Sequence, residues 1–133
     1  MTEFLCHELA ANGDSLQLEA FLKTYGNKFI NFPDADFSGR APLHWAIIQG
    51  RYKCCKVLLE NGANPMLRMQ EGWSPAHCAA EIGNIEILKL LESYSADLNC
   101  NDDFGATPRR ISEIHGHWEC VKYLDSLTKK ADK

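Results

Sequence analysis

Residues 70–80 read Gln70-Glu71-Gly72-Trp73-Ser74-Pro75-Ala76-His77-Cys78-Ala79-Ala80, and this stretch decides the fold. Gly72 marks a turn, where a positive φ costs glycine least. Pro75 opens a helix, because its fixed φ suits the first helical position and its missing N–H would have no partner there anyway. Ser74 stands just before it, where a hydroxyl can cap the helix. The same order recurs upstream as Asp36-Phe37-Ser38-Gly39-Arg40-Ala41-Pro42-Leu43-His44-Trp45-Ala46 and downstream as Asp102-Asp103-Phe104-Gly105-Ala106-Thr107-Pro108-Arg109-Arg110-Ile111. Gly39, Gly72 and Gly105 lie 33 residues apart, as do Pro42, Pro75 and Pro108, and Gly50, Gly83 and Gly116. A fixed period of this size denotes stacked helical units, none of which can bury its apolar face alone.

Each unit carries two helices. The first runs from the proline to the second glycine, a stop signal. The second carries Cys54, Cys55, Val57, Leu58 and Leu59 in one unit, Ile85, Ile87, Leu88, Leu90 and Leu91 in the next, and Trp118, Cys120, Val121 and Leu124 in the last. These are apolar on more than one side, as a helix packed between neighbours requires. Asn61-Gly62-Ala63-Asn64 and Ser95-Ala96-Asp97-Leu98-Asn99 then close their units with polar turn chemistry.

The pattern resembles the ankyrin repeat, whose consensus runs Asp-x-x-Gly-x-Thr-Pro-Leu-His-x-Ala-Ala, then Gly-His, then an Ile/Val-rich helix and Gly-Ala-Asp-x-Asn. The resemblance spans nearly the whole chain. It implies an all-α solenoid of about four helix-turn-helix units joined by β-hairpin-like turns. The expected units are 1–35, 36–68, 69–101 and 102–128, followed by a polar tail at 129–133. The first unit is degenerate: Gly13 and Gly50 are 37 residues apart, so its loop (Asn27 to Ala35) is longer by four. The last carries Arg109 and Arg110 where Leu and His are usual. Both read as capping repeats, which a solenoid needs at its ends, and the whole chain is expected to be one domain.

Composition narrows the work. The chain has 133 residues, is 45% hydrophobic and carries a net charge of −4 from 14 basic and 18 acidic residues. That leaves no polycationic footprint for nucleic acid, and the cluster of Lys129, Lys130 and Lys133 reads as a solvated tail. No apolar run approaches the ~20 residues that span a bilayer, and the first five residues lack the look of a signal peptide. The six cysteines are therefore expected to be free thiols in a reducing compartment, cytosol or nucleus. Cys54, Cys55 and Cys120 read as small core residues; Cys100, in a turn, is expected to be the most exposed thiol.

No chemistry-bearing constellation survives comparison with a plainer reading. His44 and His77 occupy the consensus histidine position, which the resemblance makes a local hydrogen-bonding site between turns. Ala41 stands where Thr is usual, so His44 is expected to lack one habitual partner. His115, His117 and Cys120 lack a second ligand pair for zinc. No glycine-rich turn has phosphate-loop spacing, and no nucleophile stands at fixed spacing from a base. No enzyme activity, cofactor or metal is expected. Asn99 is one exception to the plain readings. With Leu91 eight residues before it and Asp97 two before, it resembles asparagines that oxygen-dependent hydroxylases modify in ankyrin repeats, although stabilising its turn is the simpler role.

The resemblance also implies where a partner docks: the hairpin tips and first helices, on the concave side. In this sequence those positions hold Phe37, Arg40, Ile48, Gln49, Glu71, Trp73, Glu81, Ile82, Asp103, Phe104, Ile114 and His115. Many are apolar, which folding does not require at exposed sites, and Trp and Arg are enriched at binding hot spots. Trp73 is expected to be a surface anchor with Arg40 beside it, Phe37 and Phe104 flanking, and Glu81 and Asp103 as a negative rim. Trp45 and Ile111 read as mainly core. The expected function is a non-catalytic, monomeric adapter or inhibitor that binds a protein partner.

Overall fold

The computed structural model describes residues 4–131, with side-chain environments to residue 128. The side chains of Lys129 and Lys130, and Lys133 altogether, lie outside the described residues. Among the described residues the backbone forms eight α-helices and no strand: α1 (Leu5–Asn12), α2 (Ser15–Tyr25), α3 (Pro42–Ile48), α4 (Tyr52–Glu60), α5 (Pro75–Ile82), α6 (Ile85–Ser93), α7 (Pro108–Ile114) and α8 (Trp118–Ala131). The prolines open α3, α5 and α7 as their spacing predicts. Ser74 Oγ accepts from the His77 N–H and Thr107 Oγ1 from the Arg110 N–H, whereas Ala41 leaves α3 without a side-chain cap.

Two layers result. The odd-numbered helices stack on one another, and so do the even-numbered ones, with far closer contact in the first layer. Composition explains the difference. Ala46, Ala76, Ala79 and Ala80 are buried in α3 and α5 and let those backbones approach. Leu58, Ile87, Leu88 and Leu91, all fully buried, hold the second layer further apart. The stack therefore curves toward the first helices and the turns that precede them.

Those turns are hairpin-like, and three backbone pairs close them: Asp34 N–H to Arg40 O (2.8 Å), Met69 N–H to Trp73 O (2.9 Å) and Asp102 N–H to Ala106 O (2.8 Å). Successive turns are stitched by Gln70 N–H to Ser38 O (2.8 Å) and Asp103 N–H to Glu71 O (2.9 Å). Gly72 needs its missing side chain here. Its φ is +73°, and a Cβ would sit 2.3 Å from Asp103 Oδ1 and 2.9 Å from the Asp103 backbone nitrogen.

The consensus histidines act as inter-unit struts. His44 Nδ1 accepts the Ala41 N–H (3.0 Å) and Nε2 pairs with the Leu67 carbonyl (2.8 Å). His77 Nδ1 accepts the Ser74 N–H (3.1 Å) and also pairs with Ser74 Oγ (2.8 Å), while Nε2 pairs with the Ala106 carbonyl (2.8 Å). His44 lacks the hydroxyl partner that His77 has, as Ala41 implies. Burial pulls the His44 imidazole down to about 4, against the Leu67 bond and with help from Arg40. Burial likewise lowers His77. A second strut reaches back to the previous first helix: Arg51 Nε donates to Ala11 O (3.1 Å), and His117 Nε2 pairs with Glu81 O (2.9 Å).

All six cysteines are buried and unpaired in disulfides. Cys100 corrects the expectation of an exposed thiol: it lies beneath the turn, 9% exposed, with Sγ 3.4 Å from Ser74 Oγ. Its turn is apolar on the inner side, where Ala96 and Leu98 are buried too.

Candidate functional site

The curved side carries two clefts separated by one aromatic stack. The first, about 230 Å³, lies between the turns at 34–40 and 69–73 and is lined by Arg40, Ile48, Met69, Glu71, Trp73 and Glu81, with Ser38, Gln70 and Cys78. The second, about 250 Å³, lies between α1 and α3 and is lined by Phe4, His7, Glu8, Ala11, Asn12, Asp34 and Trp45. Between them the Arg40 guanidinium lies over the Trp45 ring at 4.9 Å, and Phe37 meets the same ring edge-on at 5.2 Å. Cation–π and edge-to-face contacts of this kind hold both side chains in place.

Five of the twelve residues singled out from sequence thus share one cleft: Arg40, Ile48, Glu71, Trp73 and Glu81. Glu71 is presented by a positive φ of 65°, a conformation non-glycine residues seldom hold. Trp73 corrects the picture of a free surface anchor. It is half-buried, stacked on His77 at 5.8 Å, and its indole N–H donates to Asp102 Oδ2 at 3.1 Å. Ile48 and Ile82 are also half-buried and pack against the core.

The other positions lie outside the cleft. Phe37 is 52% exposed, Phe104 79% and Ile114 60%. Gln49, Asp103 and His115 are exposed, with the His115 ring parallel to His117 at 6.2 Å. The Asp103 backbone N–H belongs to the stitch between turns.

Trp45 corrects the second expectation: Ile111, at the same repeat position, is buried, but Trp45 is half-buried and lines the second cleft. A visible signal was its size, since Cys78 fills the equivalent slot one unit on. The second cleft itself, built by the degenerate first unit, had no signal in the repeat pattern.

The pair with nucleophile-and-base geometry, Ser74 Oγ and His77 Nδ1, is fully buried and spent on capping α5. Burial raises the Cys78 thiol to about 12, with Glu81 adding to the effect. Among the described residues no group of three His, Cys, Asp or Glu side chains is placed to share a metal ion. His117 Nε2 is committed to Glu81 O, and Cys120 is buried. No described helix is long and apolar enough to cross a membrane.

Comparison with known proteins agrees with the fold. Residues 43–92 match the family model described as ankyrin repeats in many copies. Human protein phosphatase 1 regulatory subunit 27 is 33% identical over 96 residues, 72% of this chain and 60% of that protein. The chain belongs to the ankyrin-repeat family.

Two further human proteins share parts of the ankyrin array. Transient receptor potential cation channel subfamily A member 1 is 32% identical over 125 residues, 93% of this chain and 11% of that protein. Ankyrin repeat and SOCS box protein 3 is 28% identical over 148 residues, 86% of this chain and 26% of that protein. The chain therefore spans about 60% of the phosphatase subunit's length and much less of the other two. Ankyrin repeats generally mediate protein–protein interaction, and in this ankyrin array the two clefts lie along the inner curve.

Proposed function

We propose that this chain is a non-catalytic interaction module, an adapter or inhibitor, that holds a helix or extended segment of a partner protein along the inner curve. Its units are read as 1–35, 36–68, 69–101 and 102–128. The observation that carries the reading is the convergence of Arg40, Ile48, Glu71, Trp73 and Glu81, from two successive units, on one cleft. Phe37, Phe104 and Ile114 extend an exposed apolar track on either side of it. Such tracks mark interaction surfaces, and extended or helical segments in grooves are recurrent modes of recognition.

The test is affinity capture from lysate with wild type beside Arg40→Ala and a Phe104→Ala/Ile114→Ala variant, read by mass spectrometry. A protein held by wild type and lost from both variants supports the inner curve. Identical capture by all three moves the interface to the second helices or to the loop at 27–35. The name of the phosphatase regulatory subunit makes a phosphatase catalytic subunit one partner to test directly as purified protein.

A second reading is favoured by one observation at Asn99. The residue is exposed, and Asp97 Oδ1 receives the Asn99 backbone N–H at 2.9 Å, so the aspartate, not the Asn99 amide, closes the turn. That leaves its side chain, with the methylene C–H bond that an asparaginyl hydroxylase would oxidise, on the surface. Peptide mass spectrometry on protein from oxygenated cells checks this; no species heavier by one oxygen atom on the Asn99 peptide would discard it.

A further inference from the structure

Arg40 is a half-buried guanidinium without a counter-charge. Among the described residues the ion pairs join Arg109 to Glu113 and Asp125, Arg110 to Glu113, and Lys122 to Glu119; none involves Arg40. Its Nε is out of solvent and makes no hydrogen bond, and the same holds for Nε1 of Trp45, over whose ring it lies. Buried donors in folded proteins are almost always satisfied, and each exception asks for an explanation. Those two donors are closed off from solvent, but the Nη atoms of Arg40 are neither closed off nor hydrogen-bonded, and Arg40 lines the cleft, so its fork can be met by an acceptor supplied from outside.

We infer that the cleft between the turns at 34–40 and 69–73 receives a carboxylate, an Asp or Glu side chain on the segment of the partner protein, with Arg40 as its charged contact. The inference rests on the inner-curve reading above and adds the partner's chemistry. A guanidinium presents a planar fork of donors that matches a carboxylate in two parallel bonds. The Trp45 ring, braced by Phe37, holds that fork in place before binding, so little side-chain freedom is lost when the acid arrives. Ile48, Met69 and Trp73 line the same cleft and supply apolar surface beside that fork.

Desolvation decides between anions. Glu71 and Glu81 line the same cleft but do not reach Arg40 within ion-pair distance. A phosphate dianion doubles its attraction to Arg40 along with its repulsion from them, but the cost of taking an ion out of water grows with the square of its charge, so the half-buried site favours the singly charged carboxylate. The same two glutamates favour Lys or Arg next to the acid on the partner. The recognised segment is therefore an acidic residue flanked by basic ones, with apolar side chains for the walls.

Short random peptides displayed on phage are selected against the wild-type chain, and the strongest binder is synthesised. Versions with its acid replaced by Asn or Gln, or by phosphoserine, are made beside it. Affinities are measured for wild type, Arg40→Ala, Arg40→Lys and Phe104→Ala/Ile114→Ala, with the Arg40 Nε–H and the Trp45 indole N–H followed by NMR. The selected peptides are expected to carry an acid. Neutralising that acid, or Arg40→Ala, weakens binding about tenfold or more, and combining the two adds little. Arg40→Lys, which keeps the charge but not the fork, loses part of the affinity and carries the test should Arg40→Ala unfold. Both N–H signals shift on binding.

Binding lost in the Phe104→Ala/Ile114→Ala variant but indifferent to Arg40 and to the peptide's acid would overturn the carboxylate inference and leave the inner-curve reading standing. Indifference to every variant would overturn both. Tighter binding of the phosphoserine peptide would overturn the carboxylate in favour of a phosphate. Selection that enriches no acidic peptide would also overturn it.

Discussion

The Trp73 indole N–H donates to Asp102 Oδ2 at 3.1 Å, joining the turn at 69–73 to the turn at 102–106 across 29 residues of sequence. The other oxygen of that aspartate accepts the Phe104 and Ala106 N–H groups at 2.9 and 2.8 Å, so one carboxylate closes its own turn and holds the neighbouring one. Burial pushes the Asp102 carboxyl up, but its bonds from Ala106, Phe104 and Trp73 together hold it below the usual carboxylate range. Trp73 is thus a cleft wall and a strut at once.

Trp73→Phe removes the strut and keeps an aromatic wall. Its expected cost is about 1 kcal/mol, the net worth of one hydrogen bond. A double-mutant cycle with Asp102→Ala, read by urea denaturation, should return a coupling of similar size. Additive losses would show that the bond contributes nothing.

Stability should fall on mild acidification because of His44. Its imidazole titrates at about 4 in the folded chain and near 6.5 when unfolded, so between those values the unfolded chain binds more protons. The stabilisation is complete above about pH 6.5, declines as the pH drops toward about 4, and is exhausted below that. His77, lowered by burial as well, adds in the same direction. Urea midpoints measured from neutral pH downward should show the decline, and His44→Gln should flatten it while lowering stability at neutral pH. A wild-type profile level through that range would contradict the assignment.

Gly72 and Gly105 occupy the same repeat position, with φ of +73° and +82°. Gly105→Ala meets no neighbouring atom within 4 Å and should cost only the backbone term, about 1 kcal/mol. Gly72→Ala must also displace Asp103 and with it the stitch to Glu71 O. Thermal unfolding of the two variants should rank Gly72→Ala as clearly the less stable; equal midpoints would mean that the turns separate freely.

Leu58 is fully buried in α4. Leu58→Ala is expected to cost about 2–5 kcal/mol through lost burial and the cavity left behind. The inner curve is built by other helices, so the fraction still folded should keep its partner preference. Unchanged stability would mean that α4 packs elsewhere.

Much of this architecture was legible from residues alone. Glycine at a positive φ, proline at the start of a helix and a hydroxyl before it are local rules, and at Ser74-Pro75 and Thr107-Pro108 each held within its own turn. The contact residues were legible only as a column of positions. Ile48 and Ile114 stand at the same repeat position, yet Ile48 is half-buried in a cleft and Ile114 is 60% exposed. The difference comes from the next unit, which covers Ile48 and has no counterpart beyond Ile114 among the described residues. Cys100 was misread for the same reason, since a turn position says nothing about the Ser74 hydroxyl lying against it.

The sequence by itself determined the period, where α3, α5 and α7 begin, most of the buried residues and the family, but it counted Trp118, which is 58% exposed, with the packed face of α8, and it ended that helix before Ala131. What it determined follows from short-range chemistry that each unit repeats for itself. Only the tertiary structure decided that Trp73 is tied to Asp102, that Trp45 is half-buried at the edge of the second cleft, and that Arg40 is stacked without a counter-charge. Each of those depends on which side chain an adjacent unit brings into contact, and stacking is what sets that distance.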